Sequence, residues 1–404
     1  MFNFFYLDKT DRIVQFLLIS LGFFIPLSVF MGNLIMILIF FVFIFTGGIN
    51  KKNLYSVLNN KVLLFSILFY FAHLSGLLWT ENLEWGFKIL KKMIDFLIFL
   101  PLLWLTMRKE NTYFYIISFL IAIFITSSYS LLIYLEILPA FNNGSHLDPT
   151  PFMSRISHGP FLAFAFYIEI KLLMSEKLKL NSKLLLATLS TLTAFSLFSS
   201  YGRAGYIGFF IATSVLIIQQ YGLKIRNLLL VLGLCSVVFF LSYNSISNFS
   251  NRVNETISSI KNYSPMNEAK TSLDERFAFA RTTYSIIKDN FFFGVGTGDF
   301  PDEYAKYNSK TLYPTLDISQ PHNMHLLIFA QLGIFGYVFF LLFFYYLYKE
   351  SREVGNFLIK DSGIFLVIYF FIISFSDSYL LGHFTTFLFI YFSSIIIKNR
   401  FEEN

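Results

Sequence analysis

The chain has a single cysteine, Cys235, and it lies inside an apolar run. One thiol forms no intramolecular disulfide, and its apolar setting argues against a thiolate–metal site. Charge is scarce as well: only 14% of the residues are Asp, Glu, Lys or Arg. A soluble chain of this length needs far more charge to cover its surface. Ten-residue segments of alternating polarity are missing, which excludes a transmembrane β-barrel. There is no internal repeat of the kind many transporters carry.

What the chain has instead is phenylalanine, 54 residues of it, within a hydrophobic fraction of 55%. The apolar residues come in repeated runs long enough to cross a hydrocarbon core of about 30 Å as helices. The fold class is therefore an all-α polytopic membrane protein. About twelve transmembrane helices are expected, at 13–30, 32–47, 62–79, 86–106, 113–137, 159–175, 184–200, 204–220, 227–243, 322–347, 362–379 and 382–397. The first run lacks a small-residue cleavage site and is expected to be retained. The net charge of +6 does not point to nucleic acid, because most Lys and Arg sit in short loops between runs. The basic clusters at 51–61, 108–109, 171–183, 224–226, 349–360 and 398–400 share one side. That side is cytoplasmic by the positive-inside rule, which puts both termini inside. The chain then divides into helices over 1–243, a large outer loop subdomain at 244–321 before the third-last helix, and helices with a short tail over 322–404. A helical turn or two is expected near 274–290, where Phe277, Ala280, Tyr284, Ile286 and Ile287 recur at roughly helical spacing.

Some basic residues fall on the outer side against the rule: the Lys88, Lys91 and Lys92 group, Arg155, Arg203, and the pair Arg276 and Arg281. Arginine presents a planar fork of donors suited to phosphate oxygens, and lysine a mobile point charge. Converging at one interface, they suit a lipid-linked diphosphate; singly, they serve equally well to reach headgroups or to pair with Asp95, Asp274 or Glu275. His322 and Asn323 open an apolar helix where the long loop returns to the membrane, and an imidazole there can act as general base towards a hydroxyl. An interfacial histidine is also a common structural residue, and His325 shares its face. A two-histidine metal site lacks an evident third ligand. His158 is a weaker candidate beside Arg155, while His73 and His383 read as packing residues. Asp377 is a carboxylate at the end of an apolar run, where acids are costly and tend to be functional or ion-paired. Gly294-Val-Gly296-Thr-Gly298 has no preceding strand, so a dinucleotide fingerprint is rejected in favour of a tight turn or close backbone approach.

Three segments in order carry a resemblance: SYGRAGY at 200–206, DERFAFARTTYSII at 274–287 leading into FFFGVGTGDF, and His322-Asn323 followed after nine residues by Gly333 and then Gly336. Together they resemble the O-antigen ligase and O-antigen polymerase superfamily of bacterial envelope proteins, the ligases most. The resemblance implies an inner-membrane glycosyltransferase with its active site facing the periplasm. Its donor would be an undecaprenyl-diphosphate-linked saccharide, its acceptor a lipid A–core hydroxyl, with no metal, nucleotide or other cofactor. It places the motif arginines at Arg203 and Arg276 and the motif histidine at His322. Arg281, Lys88 and Lys92 join as diphosphate-binding candidates, and Arg155, Asn323 and Asp377 as supporting ones. The paired carboxylates of glycoside hydrolases are not needed, since diphosphate is already a good leaving group. A polymerase, a protein O-oligosaccharyltransferase of the same superfamily and a lipid-linked sugar transporter are the competing readings. The short 138–158 loop favours the ligase over a polymerase with two large outer loops.

Overall fold

The computed structural model describes residues 9–140, 144–176, 178–262, 271–311 and 317–400. Among these residues helices are the only regular elements, two isolated β-bridges apart. In order they are α1 (Lys9–Phe24), α2 (Val29–Phe45), α3 (Lys51–Asn59), α4 (Lys61–Ser75), α5 (Leu83–Ile94) and α6 (Leu100–Thr106). Then come α7 (Thr112–Tyr134), α8 (Arg155–Leu173), α9 (Leu180–Ser199), α10 (Arg203–Tyr221), α11 (Ile225–Ser245) and α12 (Ser247–Asn262). The last are α13 (Ser272–Asp289), α14 (Phe300–Asn308), α15 (Met324–Glu353), α16 (Phe357–Ile373) and α17 (His383–Lys398). Among the described residues, seven stretches are long and apolar enough to cross a membrane: α4 with its 3-10 extension, α7 to α11, and α15. The shorter α2 and most of α17 are also apolar. The chain is an all-α polytopic membrane protein.

Local chemistry sets the ends of these helices. The run expected at 13–30 is cut at Phe24, because Pro26 offers no N–H and biases the residue before it away from helix. Ser28 then caps α2 by accepting the Met31 N–H. α5 passes into α6 through a π-helical turn at Asp95–Phe99, so the span expected at 86–106 is two helices joined by a bulge. α8 starts at Arg155, four residues earlier than expected. Its glycine, Gly159, packs against Gly205 of α10, where a Cβ would meet the Gly205 nitrogen at 2.6 Å. Small residues at such a crossing let two backbones approach closely.

Among its described residues, the segment between α11 and α15 holds three helices. α13 runs for 18 residues, far more than the turn or two expected. A reciprocal capping box starts it, with Thr271 accepting the Asp274 N–H at 3.2 Å and Asp274 accepting the Thr271 N–H at 3.0 Å. Its buried face also differs from the expected stripe. Phe277 and Tyr284 are exposed, while Phe279, Thr283, Ile286 and Ile287 are buried. Phe279 and Ile286 join Phe300 and Tyr304 of α14 and Leu327 and Ala330 of α15 in a second, smaller core.

α15 is broken at Gly333, whose φ of 62° and ψ of −164° belong to a region open essentially only to glycine. The break frees two carbonyls, and the loop after α13 takes them: Val295 N–H donates to Ala330 O at 2.8 Å and Gly296 N–H to Gln331 O at 3.0 Å. In return Ile334 N–H donates to Phe291 O at 2.9 Å. The same loop reaches α4 and α5. Thr297 Oγ1 donates to His73 O at 2.8 Å, and Asp299 accepts the N–H groups of Glu81 and Asn82 at 2.9 and 2.7 Å. The glycines of GVGTG are therefore a stitch between three helices, and Gly333 is the counterpart they fit.

Candidate functional site

Helices α8, α10, α13 and α15 all begin at one end of the bundle, and their first turns bring the site together. Their N-termini carry orphan N–H groups and the positive end of the helix dipole, which favours anions. Arg155 and Arg203 are the first residues of α8 and α10. The Gly159–Gly205 crossing holds those starts side by side, and a Cβ on Gly202 would strike Arg155 O at 2.7 Å. The turn before Arg203 is pinned as well. Tyr206 donates its hydroxyl to Ser200 O, and Tyr201 N–H donates to Asp148 at 3.2 Å.

Arg276 on α13 lies 3.7 Å from Asp377. His322 Nδ1 faces the two carboxylate oxygens of Asp377 at 3.3 and 3.4 Å. A carboxylate only accepts, so Nδ1 carries the hydrogen and the Nε2 lone pair is left for a proton. Asp377 is 5% exposed and also accepts the Ser378 N–H at 2.7 Å. His322 has φ 51°, a left-handed conformation that a non-glycine residue adopts at some cost. The next two residues lock it there. Asn323 caps α15 through the Leu326 N–H at 3.1 Å, and Met324 N–H donates to Ser374 O at 2.8 Å. That last bond ties the start of α15 to the end of α16, hence to the segment carrying Asp377.

A cavity of about 110 Å³ adjoins this contact, and Arg155, Arg203, Arg252 and Arg276 all line it, with Asp377 and Tyr379. Arg203 has no ion pair among the described residues, and its Nε is buried without a hydrogen-bond partner. Burial and the nearby Asp377 push the Tyr379 phenol well above its ordinary range, so it stays a hydroxyl. Burial also raises the Asp148 carboxyl, against the lowering pull of the Tyr201 N–H, Arg155 and Arg252.

Of the residues singled out by sequence, the structure gathers His322, Asp377, Arg276, Arg203 and Arg155 at this place. Asn323 contributes through the backbone as a helix cap. Lys88 and Lys92 do not line the cavity, and Lys88 is held by Glu84 at 2.7 Å over the Trp85 ring. Lys91 is exposed on the same helix. Arg281 is exposed and outside the cavity lining, as five residues of helix turn it roughly 140° from Arg276. His325 is buried, with Nδ1 3.1 Å from the Tyr337 hydroxyl and Nε2 3.0 Å from Phe371 O. Both ring nitrogens are engaged, so it makes no metal pair with His322. His158 and His73 are fully buried packing residues near Ser196 and Phe69. The side chain of His383 lies outside the described residues.

Sequence reasoning missed Arg252 and Asp148. Arg252 is in α12, which is placed by Asn248 donating to Ser199 O and Leu147 O at 2.7 and 2.8 Å. It pairs with Glu255 at 2.6 Å and lies 5.7 Å from the Tyr201 ring centre. No local signal set Arg252 apart: it lies in the long outer loop, which holds other bases and to which the positive-inside rule does not strictly apply. Asp148 lies 3.7 Å from Arg155 and joins the 145–150 loop to the Arg203 turn.

The assembled groups have clear chemical capacities. Four guanidiniums and several helix N-termini favour a polyanion, with planar forks matched to phosphate oxygens. An imidazole oriented by a buried carboxylate beside them can act as a general base. Residues 188–341 match a protein family described as O-antigen ligase. A comparison with curated proteins returns no match. The matched segment runs from α9 into α15 and includes Arg203, Arg252, Arg276 and His322. The match spans less than half of the chain and supports a resemblance to the O-antigen ligase and polymerase superfamily, whose activity is of glycosyltransferase type.

Proposed function

We propose that the chain transfers a saccharide from undecaprenyl diphosphate to a lipid A–core hydroxyl at the periplasmic face of the inner membrane. The observation that carries this reading is the His322–Asp377–Arg276 contact beside the cavity lined by Arg203. In the transfer the acceptor oxygen attacks the anomeric carbon and the bond from that carbon to the diphosphate oxygen breaks. The hydroxyl proton passes to His322 Nε2 and then to solvent. Asp377 keeps the ring in its Nδ1–H form and steadies the charge it gains. Arg203 and Arg276, with Arg155 and Arg252 lining the same cavity, meet the negative charge that grows on the departing diphosphate. Fixed donors of this kind act where charge develops in the transition state. Lys88 and Lys92 on α5 do not line this cavity, so their part would be to steer an anionic headgroup, not to contact the reacting atoms.

The test is reconstitution of the purified protein with undecaprenyl-diphosphate oligosaccharide and lipid A–core, beside a His322→Ala control. Sugar on the core lipid with the intact protein only is the expected product. Longer lipid-linked chains with an untouched core would make the activity a polymerase. No covalent product, with folded protein and verified substrates, would overturn glycosyl transfer.

A further inference from the structure

The opposite end of the bundle carries two adjoining cavities far from His322. One, of about 630 Å³, is polar and is formed by the start of α1, the end of α6 and the end of α17. The other, of about 680 Å³, is nearly all apolar and lies among α2, α3, α4 and α6. They share a wall made by Phe43, Gly48 and Leu105. The polar cavity has both signs of charge: the bases Arg108, Lys109 and Lys398 and the acids Asp11 and Glu110. Arg108 and Asp11 are paired at 2.5 Å yet remain 39% and 47% exposed, so each can serve a second partner. Lys109 Nζ donates to Arg400 O at 3.1 Å, and Lys398 sits 5.6 Å from the Trp104 ring centre. The apolar cavity has Leu54 and Leu58 of α3 on its wall, with Lys51 at the mouth.

We propose that the joined cavities hold one phospholipid whose head bears both a phosphate and a primary amine. The phosphate lies among Lys109, Lys398 and Arg108, and the ammonium faces Asp11 and Glu110. One acyl chain passes the Phe43–Leu105 wall into the apolar cavity. Charge complementarity chooses this occupant: a purely anionic head leaves two carboxylates facing its phosphate, and a quaternary ammonium has no N–H to give them. An apolar chamber adjoining a polar one across a shared wall fits an amphiphile, since neither a free headgroup nor a bare hydrocarbon fills both.

Native mass spectrometry of the full-length protein, titrated separately with phosphatidylethanolamine, phosphatidylglycerol and phosphatidylcholine, tests this. The first phosphatidylethanolamine is expected to bind about fivefold tighter than either other lipid, the equivalent of one favourable exposed ion pair of about 1 kcal/mol. Asp11→Asn combined with Glu110→Gln removes that preference, Lys109→Gln combined with Lys398→Gln weakens all three lipids together, and Leu58→Trp, which fills the apolar chamber, weakens the same binding event. Lys224→Gln, a base at this end outside both cavities, leaves it intact. Equal affinity for the three lipids, tighter binding of phosphatidylglycerol, a preference that survives loss of both carboxylates, or an affinity untouched by loss of both lysines would overturn the proposal. All these positions are remote from His322, so the result is independent of the transfer assay.

Discussion

The two ends of the helix bundle handle charge differently. At the end away from His322, bases are matched to acids: Arg108 to Asp11, Lys171 to Asp361 at 2.5 Å, and Arg400 to Glu353 at 2.6 Å and Glu350 at 3.4 Å. At the His322 end Arg155, Arg252 and Arg276 also have acidic partners, yet four guanidiniums line one small cavity and Arg203 has no ion pair among the described residues. Paired charge is largely compensated within the protein, and where it stays exposed it can still take a second partner. Like charges held together at a membrane boundary repel, and the fold sustains them with close glycine contacts, helix caps and a left-handed histidine. Strain and repulsion kept at one place point to chemistry there.

The sharpest way to break that contrast is to remove the histidine without disturbing its backbone. His322→Gly suits φ 51° better than histidine does, so the thermal midpoint should move by only a few degrees. Transfer should fall roughly 10²- to 10⁴-fold, the range of a lost general base. A variant that keeps its activity would take His322 out of the mechanism. Asp377→Asn comes next, with an expected loss of roughly 10²-fold or more in kcat and a smaller change in KM, since it lets the ring adopt the wrong tautomer. An equal effect on donor affinity and kcat would recast Asp377 as a binding-site scaffold.

How far this contrast was legible in the sequence depends on the kind of signal. Apolar runs made the all-α membrane class plain, because hydrocarbon thickness imposes a length on every span. Arg203, Arg276 and His322 stood out because each is polar where the chain meets the membrane. The kink at Gly333 was not legible, since a glycine in an apolar helix reads the same whether it packs, bends or breaks the helix. Nor was the division among the outer bases. Lys88 and Arg203 violate the same rule, and only the structure separates a lysine tied to Glu84 from an arginine facing a cavity. Arg252 went unseen because it sits in a polar stretch where a base excites no comment. What brings it to the site is α12, anchored by Asn248 to segments about 50 and 100 residues away, and no local pattern reports that.

The scaffold itself can be broken next. Gly333→Ala should cost about 1–3 kcal/mol from backbone strain alone. Its new Cβ would also lie 2.2 Å from Phe292 O, so the 291–299 loop must shift. Denaturation midpoints read the first effect. The second should appear as faster proteolysis of that loop, and neither change would be expected if the glycine served only helix packing. Arg252→Gln is milder, about tenfold in transfer, because three other guanidiniums remain around the cavity. Full activity in that variant would leave Arg252 to Glu255 and Tyr201 alone.

Asp11→Asn at the far end should do least, and its smallness is what the comparison requires. The Arg108–Asp11 contact, at 2.5 Å, is shorter than the 3.7 Å of Arg276–Asp377, so distance alone ranks it as the stronger pair. Exposure reverses the order. Arg108 and Asp11 side chains are 39% and 47% exposed, against 29% and 7% for Arg276 and Asp377. Water screens the first pair and solvates whichever partner is left, which limits its loss to under about 1 kcal/mol. In the second, taking away the carboxylate leaves a guanidinium beside three others in a small cavity and an imidazole without its orienting partner. Transfer by Asp11→Asn should therefore stay within about twofold of the parent, as an exposed charge remote from the reacting atoms has little to add in the transition state. Should Asp11→Asn cost as much activity as Asp377→Asn, the two ends would be coupled, and charge pairing would no longer tell structure from function here.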